Sequence, residues 1–260
     1  MKARLAAILA VVLVLAVAAA ASAAVTCPAL NLDLDKKSID MGMTYAGEDI
    51  KVAGEAPAGS QVAVLLISKD NPPLQLSRKG KVALFWMSVK QLDACNLPFL
   101  YQLYSSGPLT QIASPALVKE LSLGYPTLES QLVAKCTKGE ATADDSDVLF
   151  KGFIQLKEEA GLYGIHENKL TVGPDGRFEQ AVTLSDRVPE GTYFVKAFAF
   201  KDGQLVASGT REVTTQKVGL SKWLVKTAKD NGTFYGLMAV TVALGAGLGI
   251  GAIFRKGAAH

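Results

Sequence analysis

Short apolar runs alternate with turn residues along most of the chain. Residues 62–67 form a continuous apolar run rich in β-branched side chains, which is typical of a buried strand. Residues 192–200 alternate between the two faces of a strand, and Asp202-Gly203 follows as a tight hairpin turn, so residues 205–215 are the predicted return strand. About seven to nine short strands predict a mainly β chain.

Three further segments show the same strand-and-turn pattern. Residues 49–53 alternate and end at a turn over 54–59. Residues 169–172 and 177–184 flank the turn sequence Gly-Pro-Asp-Gly. Residues 74–77 and 82–87 predict a hairpin around a basic turn at 78–81.

The middle of the chain has helical periodicity instead. Ser114-Pro115 combines an N-cap residue with a proline suited to the first helical turn. Residues 147–160 carry a helical apolar stripe, and Gly161 is a natural C-terminal stop. We therefore predict an immunoglobulin-like β-sandwich with two or three helices inserted at about 114–160. Two separate small domains are the alternative.

The N-terminus has the pattern of an export signal. Lys2 and Arg4 precede an apolar run over residues 5–20, and small residues follow at 21–24. Residues 1–24 are therefore the predicted signal peptide, with an uncleaved anchor as the alternative. Export places residues 25–216 in the periplasm of a bacterium.

The C-terminus predicts a membrane anchor. Residues 217–232 form a basic amphipathic segment in which Trp223 lies among lysines, as at a membrane interface. Residues 233–254 contain no charge and are long enough to span a bilayer as a helix. The basic tail, residues 255–260, is then cytoplasmic by the positive-inside rule, and the protein is a single-pass inner-membrane protein.

The predicted span carries four glycines at alternate positions. Gly245 with Gly249, and Gly247 with Gly251, form two overlapping GxxxG spacings. Small residues let helices approach closely in lipid, so these glycines are candidates for packing against another helix, including that of a second copy. Glycine is also common in membrane helices, and a simple anchor is the alternative.

Composition and charge narrow the candidate functions. Hydrophobic residues make up 49% of the chain, which suits a soluble domain with apolar ends. The net charge of +3 and the absence of a basic–aromatic stripe argue against nucleic-acid binding. Of the three cysteines, Cys95 and Cys136 are the first candidates for a disulfide, and three unpaired thiols fit the sequence equally well.

The sequence contains no catalytic constellation. His166 is the one histidine before the last residue, and we expect it at the surface of a loop. No cysteine or histidine spacing indicates a metal or a cofactor, so we expect no enzyme activity. Arg78, Lys79 and Lys81 are candidates for binding an anion, with a plain basic hairpin turn as the alternative.

Several segments together resemble a transmembrane protein family named after alphaproteobacterial members. They are LSRKGKVALFWMSV (76–89), LPFLYQLYSSGPLTQIA (97–113), LKEEAGLYG (156–164), VPEGTYFVKAFAFKDGQLVASGTREVTTQKVGLSKWL (188–224) and YGLMAVTVALGAGLGIGAIFR (235–255). The resemblance implies a signal peptide, a periplasmic domain and one C-terminal span.

Members of that family are often encoded beside a permease similar to sulfite or organosulfonate exporters. The resemblance therefore implies an accessory role beside a multispan transporter. A membrane-tethered periplasmic domain that binds anions or senses a ligand is the alternative function.

Overall fold

A computed structural model describes residues 28–82, 85–138 and 144–257, so the predicted signal peptide and Cys27 lie outside the described residues. The strands are β1 (Asn31–Leu34), β2 (Ser38–Met41), β3 (Glu48–Glu55), β4 (Gln61–Ser68), β5 (Leu74–Val82), β6 (Phe85–Cys95), β7 (Tyr101–Ser105), β8 (Val133–Lys138), β9 (Tyr163–His166), β10 (Thr171–Val172), β11 (Arg177–Leu184), β12 (Gly191–Lys201) and β13 (Gln204–Lys217). The helices are α1 (Leu109–Ile112), α2 (Pro115–Glu120), α3 (Tyr125–Gln131), α4 (Asp144–Glu159), α5 (Gly219–Asp230) and α6 (Gly232–Gly257). The predicted mainly β chain with a helical insertion and a C-terminal apolar helix is confirmed.

Two sheets contain most of the strands. One has the order β1-β3-β11-β10 and the other the order β2-β13-β12-β4-β7-β9. Their buried side chains belong to one hydrophobic cluster that includes Ile50 and Val182 from the first sheet and Val64 and Val195 from the second. The β3–β11 and β4–β12 pairs join strands from before and after the helical insertion, so both halves of the chain share each sheet.

The centre of the six-stranded sheet is buried on both faces. All five residues of β7 are buried, and so are five consecutive residues of β4, whereas β3 buries only alternate residues. An uninterrupted apolar run of this kind is typical of a strand that is covered on both faces. The cover on one face includes the helical insertion, since the hydroxyl of Tyr101 on β7 is hydrogen-bonded to Ser122 and Gly124, between α2 and α3.

The basic segment at 78–81 is part of a strand, which corrects the predicted turn. Residues 74–82 pair with residues 85–95 in antiparallel register, and residues 83 and 84 between them lie outside the described residues. A β-bulge lies between Arg78 and Lys79.

Strand β8 lies inside the segment that was predicted to contain only helices, and it pairs with β6. Pairing with a distant strand overrides the weak helical periodicity there.

Two predicted helix boundaries are confirmed. The Ser114 hydroxyl accepts a hydrogen bond from the backbone N–H of Leu117, and Pro115 is the first residue of α2. At the end of α4, Gly161 has φ +67°, its N–H donates to the carbonyl of Glu158, and the N–H of Leu162 donates to the carbonyl of Lys157. These two hydrogen bonds together form a Schellman motif.

The connection from β11 to β12 contains a tyrosine contact. The hydroxyl of Tyr193, near the start of β12, donates to the carbonyl of Pro189 at 2.8 Å. Burial raises the pKa of Tyr193 to about 12, so the phenol stays a donor. A tyrosine at this place, bonded back to the preceding corner, occurs in immunoglobulin domains. The immunoglobulin-like type itself stays an interpretation.

The sandwich passes directly into the C-terminal helices at one end, which we call the anchor end. There Lys217, the last residue of β13, lies beside Met41 of β2. The N–H of Val218 donates to the carbonyl of Met41, and α5 begins at Gly219. Asn231 separates α5 from α6 with a non-helical φ of −141°. A single residue therefore joins the sheet to the basic amphipathic helix.

Candidate functional site

The candidate anion-binding residues lie along one strand. Arg78, Lys79 and Lys81 belong to β5, and their register partners on β6 are Lys90, Ser88 and Trp86. The side chain of Lys81 is exposed. The three residues therefore lie in an extended strand and not in the predicted tight turn. The hypothesis of an anion site here stays a prediction.

The two candidate disulfide partners lie on neighbouring strands but out of register. Cys95 is opposite Val133, and Cys136 is opposite Leu92. Three residues of a strand span about 10 Å, which exceeds the Cα separation of about 7 Å that a disulfide tolerates. Cys95 has a free thiol in this structure, in agreement with that separation.

The four glycines of the predicted span lie on α6. Among the described residues, α6 contains the one stretch that is long and apolar enough to cross a membrane, Gly232–Gly251, and none of it is buried. A Cβ atom added at Gly245, Gly247, Gly249 or Gly251 would meet nothing within 4 Å. Packing within the described chain therefore does not require glycine at these positions.

A groove lies between the helical insertion and the open part of the six-stranded sheet. It has a volume of about 330 Å³, at the lower end of the range for small-molecule sites. Its apolar residues include Leu65 and Phe198 on the sheet and Leu121 and Leu128 on the helical side. The polar residues around it are Asn71, Asn96, Glu120, Ser122, Gln131, Lys196 and Thr210.

Lys196 is the cationic side chain of this groove. It lies on β12 between Leu65 of β4 and Thr210 of β13, and it is half-buried. Its ammonium group forms no salt bridge within the described part of the chain, although Glu120 also lines the groove. An ammonium group without a salt bridge, beside apolar side chains, suits a small anion with an apolar body. Sequence alternation places Lys196 on a strand face but does not reveal this groove.

A second lysine is buried more deeply. Lys157 of α4 is 3% exposed, and its Nζ donates to the carbonyl of Phe99 at 2.9 Å. The same Nζ lies 3.7 Å from the centre of the Phe99 ring. Burial lowers the pKa of Lys157 to about 8. In a sequence that reads LKEEAG, nothing distinguishes this lysine from its solvated neighbours.

Tyr163 lies beside that lysine, and Tyr101 lies beside Tyr163. Tyr101 donates to the carbonyl of Ser122 and accepts from the N–H of Gly124, and Tyr163 donates to the carbonyl of Pro98. Burial raises the pKa of both phenols, so they remain protonated at neutral pH. The hydrogen bonds of Tyr101 to backbone atoms hold the helical insertion against the sheet.

His166 lies on a strand and is half-buried, which corrects the expected surface loop. Its ring stacks on Tyr104 with centroids 4.6 Å apart, and its Nε2 lies 3.1 Å from Oε1 of Gln102. Burial, followed by the charge of Lys169, lowers the pKa of His166. A neutral imidazole held by an amide and a phenyl ring is a packing element of the β7–β9 edge.

The described residues contain no group of three or more His, Cys, Asp or Glu side chains that could hold a metal ion. Exposed apolar side chains occur instead on the β5–β6 hairpin, at Phe85 and Met87, and on α5, at Leu220 and Trp223. Together with the apolar helix α6, they indicate surfaces for contact with lipid or protein.

A comparison with known protein families supports α6 as a candidate membrane span. Residues 29–256 match the family described as "Putative transmembrane protein (Alph_Pro_TM)". The chain belongs to this family. Its members are transmembrane proteins, so the match and the apolar helix α6 together show a membrane protein with one candidate span. A comparison with curated proteins found no match.

Proposed function

We propose that the protein is a membrane-anchored accessory protein, which uses its span to bind a multispan membrane protein. The partner would be a permease similar to sulfite or organosulfonate exporters, as the family resemblance implies. In this proposal the span crosses the bacterial inner membrane and the sandwich lies in the periplasm.

The observation that carries this proposal is the open glycine-containing surface of α6. No described side chain lies within 4 Å of a Cβ atom added at Gly245 or Gly249. Glycines in such positions allow the backbone of a second helix to approach closely, where van der Waals packing stabilises the pair. The GxxxG spacing favours such a contact over an anchor that touches only lipid.

The test is co-purification of the full chain in mild detergent. The double variant Gly245→Ile/Gly249→Ile places branched side chains on the proposed contact surface. We expect it to insert into the membrane normally and to recover at least about fivefold less of a stoichiometric multispan partner, identified by mass spectrometry.

Leu244 and Leu248 provide the matched control, because they have the same spacing on the same helix and are both exposed. The double variant Leu244→Ile/Leu248→Ile should retain the partner. Equal recovery from both double variants would refute binding through the glycines. Two differently tagged copies distinguish a homo-oligomer, since self-association would recover the second tag in place of a multispan protein.

We also propose a second candidate function, binding of a small organic anion in the groove at Lys196. The ammonium group of Lys196 would pair with a carboxylate or sulfonate, while Leu65 and Phe198 contact an apolar body. The groove is a better candidate than the basic strand at 78–81, because its polar and apolar side chains line one concave surface.

Thermal stability of the full chain in detergent tests this second function. We expect hexanesulfonate to raise the Tm by a few degrees, because binding to the folded state alone stabilises it. Hexanol, which lacks the charge, and sulfate, which lacks the apolar body, should have little effect. The shift should disappear in Lys196→Gln and persist in the exposed-site control Lys201→Gln. A shift lost in Arg78→Ala/Lys79→Ala instead would move the site to β5.

A further inference from the structure

The β5–β6 hairpin carries large apolar side chains that the domain leaves in solvent. Phe85 is 72% exposed and Met87 is 54% exposed, and because they are two residues apart on β6 they lie on one face. At the other end of the hairpin, Leu74 and Ala94 pack with the core. The hairpin is therefore attached at its base and exposes its apolar distal part.

The charged residues in the distal part of the hairpin are all basic. Residues 74–90 contain four basic residues, Arg78, Lys79, Lys81 and Lys90, and no acidic residue. Apolar and aromatic side chains among lysines are typical of segments that lie at the surface of an anionic bilayer.

The base of the hairpin lies at the anchor end of the sandwich. Ser68, the last residue of β4, is opposite Tyr193 near the start of β12, and Gly191 of β12 is opposite Thr215 near the end of β13. The N–H of Lys69 donates to the carbonyl of Thr192. The chain thus leaves β4 toward the hairpin at the end of the sheet where β13 passes to α5.

The chain returns from the hairpin at the same end. The N–H of Ser68 donates to the carbonyl of Leu100, immediately before β7 begins at Tyr101. Since β4, β12 and β13 are neighbours, Ser68 and Val213 are separated by two strand spacings, about 10 Å, and β13 continues from Val213 toward α5 at this end. Met43, which is 72% exposed, follows the last residue of β2 at this end as well.

From this placement we propose that the distal part of the β5–β6 hairpin is a second membrane contact, which inserts Phe85 and Met87 into the headgroup layer of the bilayer that holds α6. Val218 links the anchor end to α5, whose exposed Leu220 and Trp223 suit a helix that lies at the membrane interface. The basic residues of the hairpin attract anionic headgroups, and the aromatic and thioether side chains occupy the interface.

Shallow insertion is compatible with the backbone of the hairpin. The strands pair as far as Val82 and Phe85, so their facing N–H and C=O groups are already hydrogen-bonded when the hairpin enters the headgroup layer. The proposal requires the membrane anchor, but it does not depend on the accessory role or on the glycines of α6.

Tryptophan quenching in the full chain tests the proposal. The chain has two tryptophans, Trp86 and Trp223, so Trp86→Phe/Trp223→Phe provides a background without one. In that background Phe85→Trp places a single reporter on the hairpin. Lys201→Trp places the control reporter at the exposed β12–β13 turn, at the other end of the sandwich. Both proteins are reconstituted at one copy per nanodisc, in phosphatidylethanolamine and phosphatidylglycerol.

We expect brominated lipid to quench the reporter at position 85 at least about twofold and to leave the reporter at position 201 unaffected. Quenching at 85 should weaken when phosphatidylglycerol is omitted and in Lys81→Glu, because the electrostatic attraction is reduced. The shared background controls for folding, which circular dichroism checks in each variant.

Equal quenching at the two positions would overturn the proposal. So would a reporter at position 85 that is shielded only at several copies per disc, since that result would assign the apolar side chains to contact between copies. Absence of lipid quenching at position 85, with shielding of the reporter upon addition of a purified partner protein, would assign these side chains to that partner.

Discussion

At the scale of single residues, Lys157 is the clearest departure from what its sequence neighbours suggest. Its ammonium group is buried with one backbone acceptor and an aromatic ring, and no described carboxylate is bonded to it. Burying a charge without a counter-ion costs free energy, which is why the pKa of Lys157 is lowered to about 8.

The pH dependence of stability follows from this lowered pKa. Between about pH 8 and the unfolded pKa of 10.5, the unfolded chain holds a proton on Lys157 that the folded chain has released. The free energy of unfolding contributed by this group therefore rises with pH across that window, and it is at its least favourable value below pH 8.

We predict that Lys157→Met removes this dependence. A methionine fills a similar volume beside Phe99 without a charge. The difference in free energy of unfolding between Lys157→Met and the native chain should change by about 1 to 2 kcal/mol between pH 8 and pH 10, in favour of the native chain. Denaturant unfolding in mild detergent measures this difference, and the raised tyrosine pKa values cancel because both proteins contain them.

Lys151 provides the matched control on the same helix, since its side chain is exposed. Lys151→Met should follow the native pH profile. A parallel profile for Lys157→Met as well would show that the ammonium group of Lys157 is solvated in the folded protein.

At the scale of elements, β3 shows how packing extends a strand through a predicted turn. The sequence pattern ends this strand at Ala53, because Gly54 and the residues after it have turn composition. In the structure β3 continues to Glu55, and Gly54 pairs with Leu32 on one side and Phe178 on the other. The ring of Phe178 lies where a side chain at position 54 would be.

We predict that Gly54→Ala destabilises the sandwich. The new Cβ atom would lie 2.5 Å from Cζ of Phe178 and 2.9 Å from the carbonyl oxygen of Asn31, so the ring or the strand must shift. The expected cost is about 1 to 3 kcal/mol of unfolding free energy, measured by denaturant unfolding.

A double-mutant cycle identifies the cause of that cost. Phe178→Leu removes the ring, so Gly54→Ala should cost less in that background than in the native chain. Ala53→Ser, on the exposed face of the same strand, is the control and should be nearly neutral. An equal cost of Gly54→Ala in both backgrounds would attribute the effect to the backbone of β3 rather than to the ring.

The elements that the sequence predicted best are those with local signals. The Asp202-Gly203 turn, the cap at Ser114 and the stop at Gly161 depend on residues within one turn of each other, and all three appear as predicted. Strand β8 and the length of β5 were missed, because each depends on pairing with β6. Propensity is a weak guide where a distant strand supplies the hydrogen bonds.

At the scale of the whole molecule, strand order decides which surfaces lie close together. Five residues separate β4 from β5, whereas about 150 residues separate β4 from α5. The sheet order β13-β12-β4 nevertheless brings the base of the β5–β6 hairpin to the end where α5 begins. The groove at Lys196 has the same origin, since its residues come from three strands and from the helical insertion.

The sequence by itself determined the class of the chain, its local turns and caps, and the apolar C-terminal helix, because each depends on residues that are neighbours along the chain. It also carried the resemblance to the transmembrane family, which the match over residues 29–256 confirmed. Only the tertiary structure decided that Lys157 is buried, that Lys196 lines a groove, and that Cys95 and Cys136 are out of register. Burial and register are set by contacts between residues far apart in the chain, and a local pattern of polar and apolar positions contains no information on which of those contacts form.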